Sequence, residues 1–220
     1  MKMKFMQRVL STVLAAAMMV CCSSVPVSAA KTSETAEKAV SSIKVGWNLG
    51  NSLDSNGSWI AQYTSGKPSD YEKAWGNPVT TKALITFIKK QGYNAVRVPV
   101  TWVEHIDKNG KIDKEWLDRV QTVVDYVISQ DMYCILNVHH DGGSEGWLVA
   151  SEESYKSNSK KFAGLWKNIA ARFKDYGDKL MFESFNEMLD SKDSWTEPKD
   201  SKAYSVINKY NQLSIKFTYN

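Results

Sequence analysis

The chain has 220 residues, 28 basic and 24 acidic side chains, a formal charge of +4 and 43% hydrophobic residues. Lys2, Lys4 and Arg8 supply three of those cations and no acid precedes Ala30, so the remainder carries 25 against 24, a net of +1. That near-balance argues against a nucleic-acid footprint.

Residues 1–29 have the layout of a secretory signal peptide. The three cations precede an apolar run from Val13 to Val20, and Val27-Ser28-Ala29 offers small residues for cleavage. The run is too short and one-sided for a membrane span. A lipid anchor through Cys21 is the weaker reading, because Val20 is bulkier than the small residue expected there. The expectation is a secreted, extracellular protein with no membrane attachment after cleavage. Cys21 and Cys22 leave with the leader, so only Cys134 remains, no intramolecular disulfide forms, and the fold rests on its core. The ~190 remaining residues suit one domain by the usual prior of ~100–200 residues each. Eight tryptophans and ten tyrosines exceed what a core needs, and flat aromatic faces are natural partners for sugars.

Residues 30–42, rich in Ser, Thr and Lys, read as a polar linker ahead of a domain over 43–220. Ile43–Leu49 is a first strand, followed by a long loop rich in Gly, Ser and Asn. Thr80 or Thr81 caps a helix with Leu84, Ile85 and Ile88 on one face, closed by Gly92. Ala95–Val100 is a second strand. Asp113 caps a helix whose Leu117, Val120, Val124, Val127 and Ile128 form an apolar stripe. Tyr133–Val138 is a third strand. Phe162, Leu165, Trp166, Ile169 and Phe173 mark a third helix, ended near Gly177. Leu180–Phe185 is a fourth strand, and Tyr204 to about Leu213 a fourth helix. Ile215-Lys216-Phe217-Thr218-Tyr219 reads as strand.

Strands alternating with helices imply right-handed crossovers and a parallel sheet. The α/β unit length of about 40–50 residues fits a (β/α)₈ TIM barrel with generous loops. A doubly wound sheet is the runner-up, but the first strand–helix loop lacks a phosphate-binding Gly fingerprint. Four units make half a barrel, which would leave two sheet edges and one core face open. The expectation is therefore a truncated frame or a fragment.

A polar group closes every predicted strand: Asn48 in Trp47-Asn48-Leu49-Gly50, Arg97 ahead of Thr101-Trp102, His139-His140-Asp141, and Asn186-Glu187. In a barrel of this kind that rim carries the chemistry. Glu187 is the candidate general acid/base, kept protonated by burial and a negative neighbour; the bland alternative is a surface carboxylate on a loop. Glu183, of the same parity but below the rim, reads as an interior group paired with a cation. Arg97 lies in an apolar strand and needs a carboxylate partner, catalytic or structural. His139 shares parity with Ile135 and Asn137 and so faces the barrel axis, where it would hydrogen-bond sugar hydroxyls or catalytic carboxylates. The neighbouring His139, His140 and Asp141 could suggest a metal. Adjacent strand residues point to opposite faces, however, and no HExxH-type partner follows, so no metal is expected. Trp59, Tyr63, Trp75, Trp102 and Trp147 fall in or beside strand–helix loops and are expected to stack on sugars, whereas Trp116 and Trp166 are expected in the core.

Together these residues resemble glycoside hydrolase family 5, the cellulase family. WNLGNSLD, AWGNPVTTKALI, RVPVTW, NVHHD and FESFNE stand in that family's order over roughly residues 43–213, and the second of them suggests its endoglucanase and xyloglucanase branch. The resemblance implies a β-glucan substrate, retention of anomeric configuration, and neither cofactor nor metal. It makes Glu187 the acid/base, Asn186 a contact to the sugar 2-hydroxyl and Arg97 a support for the nucleophile. His139 and His140 would line the subsites of the cleaved bond, with Asn48 and Trp147 beside the substrate. Met188 stands where the family usually has proline. The family's nucleophilic glutamate comes from strand 7, after a His-x-Tyr from strand 6, and the chain ends before either. The expected function is a secreted endo-β-1,4-glucanase whose nucleophile lies beyond residue 220. The alternatives are an inactive half-barrel that binds glucan weakly, and a metal-dependent barrel hydrolase.

Overall fold

The computed structural model describes residues 34–218. The expected signal peptide over 1–29 lies outside the described residues, as does the start of the 30–42 linker. The rest of that linker is helical: the Thr35 hydroxyl accepts from Lys38 N and caps α1 (Ala36–Ser42). Ala39 of α1 packs with Ala95, Tyr133 and Met181, so this helix covers one end of the sheet.

Four strands, β1 (Gly46–Asn48), β2 (Ala95–Val98), β3 (Tyr133–Asn137) and β4 (Leu180–Glu183), lie parallel in the order β1-β2-β3-β4. Asn48 pairs with Arg97, Arg97 with Ile135, and Asn137 with Glu183. With side chains alternating across the pleat, Ala95, Arg97, Ile135, Asn137, Met181 and Glu183 share one face. Val96, Val98, Cys134, Leu136 and Leu180 share the other, in the apolar core under the helices. The strands are shorter than predicted, yet pairing continues in irregular form beyond them. His139 N donates to Val100 O (2.8 Å) and Asn186 N to Val138 O (2.8 Å). The outer sides of β1 and β4 pair with no strand among the described residues.

The crossover helices follow their apolar stripes. α4 (Lys82–Lys90) is capped by the Thr81 hydroxyl and followed by Gly92 at φ +95°, the left-handed stop glycine permits. α5 (Lys114–Ile128) is capped by Asp113 and buries Leu117, Val120, Val123, Val124 and Val127. α6 (Glu152–Phe173) begins earlier than its apolar residues indicated, because the Ser151 hydroxyl caps an exposed polar first stretch. Trp116 and Trp166 are core residues, as predicted, and Cys134 is buried, its thiol pushed up by desolvation and so inert.

Two expectations are corrected here. The long loop after β1 carries α2 (Ser58–Tyr63) and α3 (Pro68–Ala74). In α3 the fully buried Glu72 accepts from Arg119 Nε and Nη2 of α5 (2.7 and 2.9 Å) and from Thr80 N (2.8 Å), which ties the loop to the barrel wall. The last helix, α7 (Ala203–Thr218), runs through Ile215-Lys216-Phe217, where a strand was expected. Val206, Tyr210, Leu213, Ser214 and Phe217 recur at helical spacing against the core and α6, and that tertiary stripe outweighs the local β propensity.

Candidate active site

The carboxyl ends of the four strands bring most of the candidate residues together. Arg97, midway across the sheet, is the hub. Its Nε and Nη2 donate to Glu183 Oε2 and Oε1 (2.8 and 2.6 Å), Nη2 also to Asn186 Oδ1 (2.9 Å), and Nη1 to Asn48 Oδ1 (3.0 Å). One guanidinium thus joins β1, β4 and the segment after β4, which requires the sheet to curve around it. Burial pushes the Glu183 carboxyl up, but hydrogen bonds from Arg97 and Asn137 outweigh it and hold the group below its ordinary value. The cation expected beside Glu183 is therefore Arg97, and among the described residues the carboxylate paired with Arg97 is Glu183.

Asn137, which strand reading placed only by parity, is a central member of this network. It is fully buried at the end of β3, with Oδ1 accepting from Val100 N (3.1 Å). Its Nδ2 donates to Glu183 Oε1 (3.1 Å) and lies 3.0 Å from His139 Nδ1. The available signal was an amide inside the apolar run Tyr-Cys-Ile-Leu-Asn-Val, which needs buried partners.

His139 and His140 do not point apart. β3 ends at Asn137, the pleat ends with it, and His140 N donates to Thr101 Oγ1 (3.1 Å). The two rings meet edge to face with centroids 4.5 Å apart, and their Nε2 atoms lie 4.0 and 3.9 Å from Asp54 Oδ2. Parity failed because it holds only inside a strand. Asp54, not singled out by sequence, is positioned by backbone amides: Ser52 N donates to Oδ1 (2.7 Å) and Asn51 N to Oδ2 (3.0 Å). Asp54, His139 and His140 together offer three atoms of metal-ligand type within 4.8 Å of one another. Burial above all, then the neighbouring His140, pushes His139 down to about 4, so its ring is neutral at neutral pH.

Glu187 sits on the rim, exposed rather than buried as expected, because β4 ends at Glu183 and the chain turns outward. Its backbone is held firmly. Gly143 N donates to Glu187 O (2.7 Å), and a Cβ on Gly142 would fall well inside contact distance of the same oxygen. The β3 loop therefore clamps the segment that carries Glu187, while Arg97 holds the adjacent Asn186.

The loop aromatics divide. Trp102 is fully buried, its Nε1 donating to Asn137 O (3.0 Å), and so is corrected from sugar platform to core residue. Trp147 is half-buried; its Nε1 donates to Asp141 Oδ1 (2.6 Å) and Lys161 Nζ lies 4.3 Å from its ring centre. The buried Asp141, pushed up to about 6 by desolvation against those hydrogen bonds, also accepts from Trp102 N (2.8 Å). Trp59, Tyr63 and Trp75 are exposed, and Trp75 meets His140 edge to face at 5.3 Å. An exposed carboxyl group next to the fixed amide of Asn186, on a rim that also carries two imidazoles and the open face of Trp75, suits a polyhydroxylated ligand and proton transfer to it.

Residues 53–217 match the family model described as Cellulase (glycosyl hydrolase family 5). Endoglucanase A of Clostridium longisporum is 43% identical over 183 residues, which cover 82% of this chain and 34% of that protein. A broad-specificity GH5-4 endoglucanase from an uncultured bacterium superposes with a TM-score of 0.80 at 44% identity, covering 85% of this chain and 54% of that one. A family 5 glycoside hydrolase of Prevotella bryantii, solved in complex with a xyloglucan tetradecasaccharide, gives 0.78 at 41% identity over 84% and 53%. The chain spans about a third of that curated relative and about half of these solved structures.

Proposed function

The chain belongs to glycosyl hydrolase family 5, and on that footing we propose that the protein is a secreted endo-β-1,4-glucanase working by retaining double displacement, with Glu187 as acid/base. Its fold is that family's (β/α)₈ TIM barrel, of which the described residues form four β/α units. The observation that carries the reading is the rim itself: Glu187 is clamped by the β3 loop, next to an Asn186 fixed by Arg97.

In this mechanism Glu187 gives its proton to the glycosidic oxygen as the C1–O bond breaks, and a second carboxylate forms the glycosyl–enzyme bond. Water then attacks C1 and displaces that carboxylate, giving up its proton to Glu187, which now acts as base. Asn186, its Oδ1 held by Arg97, keeps its amide hydrogens for the 2-hydroxyl. His139, His140 and Asn48 line the cleft, and Trp59 and Trp75 offer stacking faces. The nucleophile is assigned to none of the described carboxylates at the site. Glu183 is engaged on both oxygens by Arg97, and Asp54 by two backbone amides. It is placed on the family's later strands, as the part-length coverage of the relatives supports. Xyloglucan, bound by the Prevotella bryantii protein, is the second substrate proposed. Secretion rests on the leader-like residues 1–29, and N-terminal sequencing of exported protein tests it.

Reducing-sugar release from carboxymethylcellulose, by this chain and by a form extended through the family's remaining strands, tests the function. Release abolished by Glu187→Gln supports it, and no release from the extended form contradicts it. A chain inactive alone but retarded in a glucan-containing native gel would favour the second reading, a part-barrel that binds without cleaving.

A further inference from the structure

The amide of Asn137 has only one orientation that its neighbours accept. Val100 N–H can only donate, so the atom facing it at 3.1 Å is the oxygen. Glu183, held ionised by Arg97, can only accept, so the atom facing it at 3.1 Å is the nitrogen. Reversing the amide would set N–H against N–H and oxygen against carboxylate. Both amide hydrogens are thereby committed, one to Glu183 and the other to His139 Nδ1 at 3.0 Å. In a neutral imidazole the nitrogen that accepts carries no proton, and the other nitrogen does.

We propose that Asn137 is a positioning residue that fixes His139 as its Nε2–H tautomer, so that the ring presents a donor, not a lone pair, to the cleft beside Asp54 and His140. Two consequences follow. The Asp54–His139–His140 cluster, though it has ligand types and spacing for a divalent transition metal, is closed to one. A metal-bound histidine donates its other N–H to an acceptor, and here the other nitrogen meets a donor. Shifting the proton to Nδ1 would oppose two hydrogens across 3.0 Å. The second consequence rests on the glucanase reading. Nε2–H lies 4.0 Å from Asp54 Oδ2, too far to be spent there, and so remains open to a sugar oxygen. The neutral state of the buried ring agrees with this arrangement.

Nitrogen-15 spectra of the histidine-labelled chain test the proposal without any need for hydrolysis. The chain has three histidines, and His139 is identified by the signals lost in His139→Gln. The expected spectrum has a protonated, pyrrole-type Nε2 and a bare, pyridine-type Nδ1 for His139; the reverse assignment overturns the proposal. Asn137→Asp supplies the second arm. Its replacement oxygen accepts from His139 Nδ1 whether or not it shares a proton with Glu183, so the tautomer should invert. Zn²⁺ should then bind at least about tenfold more tightly than to the parent chain, and Asp54→Asn should abolish the gain. A folded Asn137→Asp chain that keeps a protonated Nε2 with a bare Nδ1 would also overturn it. Should that variant not fold, the parent spectrum decides alone. Inactivity toward glucans, by contrast, would contradict only the proposed function.

Discussion

Arg97 and Glu183, 86 residues apart in sequence, are joined by two parallel hydrogen bonds of 2.8 and 2.6 Å across the interior of the curved sheet. The pair is bidentate, the geometry in which a guanidinium holds a carboxylate most firmly. It ties β2 to β4 and supplies the field in which Asn186, Asn137 and His139 are arranged.

The pair makes stability acid-sensitive. The Glu183 carboxyl is held below its ordinary value in the folded chain, so its contribution is complete above the unfolded carboxyl pKa of about 4.3 and fades as pH falls through the lower folded value. Urea unfolding of the parent should lose stability below about pH 4 in part through this group, and Glu183→Gln should flatten that loss. Arg97→Ala should cost about 3 kcal/mol at neutral pH, the low end for a broken buried pair, since 25% and 31% of the two side chains remain accessible. An unchanged midpoint in Arg97→Ala would remove the pair from its structural role.

Glu72 and Arg119 are more deeply buried, with 0% and 17% of their side chains accessible. Glu72→Ala leaves a buried guanidinium unpaired and should cost about 3–5 kcal/mol. Replacing both residues by methionine should recover most of that loss, because two desolvated charges leave together. A double variant as unstable as Glu72→Ala would show that the loop is tied down by something else.

Gly142 lets the positioning of Glu187, the proposed acid/base, be tested apart from its carboxyl group. An alanine there must push the backbone of Glu187 away, and a shift of about 1 Å at a reacting group can cost a hundredfold in rate. The expected result, on the length of polypeptide the sugar-release assay identifies as competent, is a large fall in kcat with little change in KM. Undiminished kcat would mean that the clamp does not position the acid.

Exposed and buried tryptophans should separate cleanly. Trp75→Ala and Trp59→Ala should weaken retardation in glucan-containing native gels while leaving the melting temperature within a degree or two, the scale of a surface change. Trp102→Ala should instead destabilise by about 3–5 kcal/mol, the cost of emptying a large core site. A Trp102→Ala chain of normal stability would contradict its place in the core.

Much of this architecture was legible from local patterns. The caps Thr81 and Asp113, the stripes of α4 and α5, the four strands, and the pairing of Glu183 with a cation follow from spacing and from the cost of burying charge. What escaped depends on tertiary events that no short window contains. His139 and His140 converge because β3 stops at Asn137, and Glu187 is exposed because β4 stops at Glu183. Trp102 is buried because its indole reaches the Asn137 carbonyl. Ile215 and Phe217 are helical because the stripe begun at Val206 continues through them. Asn137 and Asp54 do not stand out in the sequence, because a single amide or carboxylate within a motif reveals its partners only when the strands are side by side.

The most direct measurement compares Glu187→Gln with the parent, in the hydrolytically competent form, on two substrates. One is carboxymethylcellulose, whose leaving oxygen needs a proton. The other is a 2,4-dinitrophenyl cellobioside, whose leaving group departs without one. If Glu187 is the acid, turnover of the polysaccharide falls by about 10²–10⁴ while release of dinitrophenolate in the first step is nearly preserved. Equal loss on both substrates, or undiminished cleavage of the polysaccharide, would contradict the account.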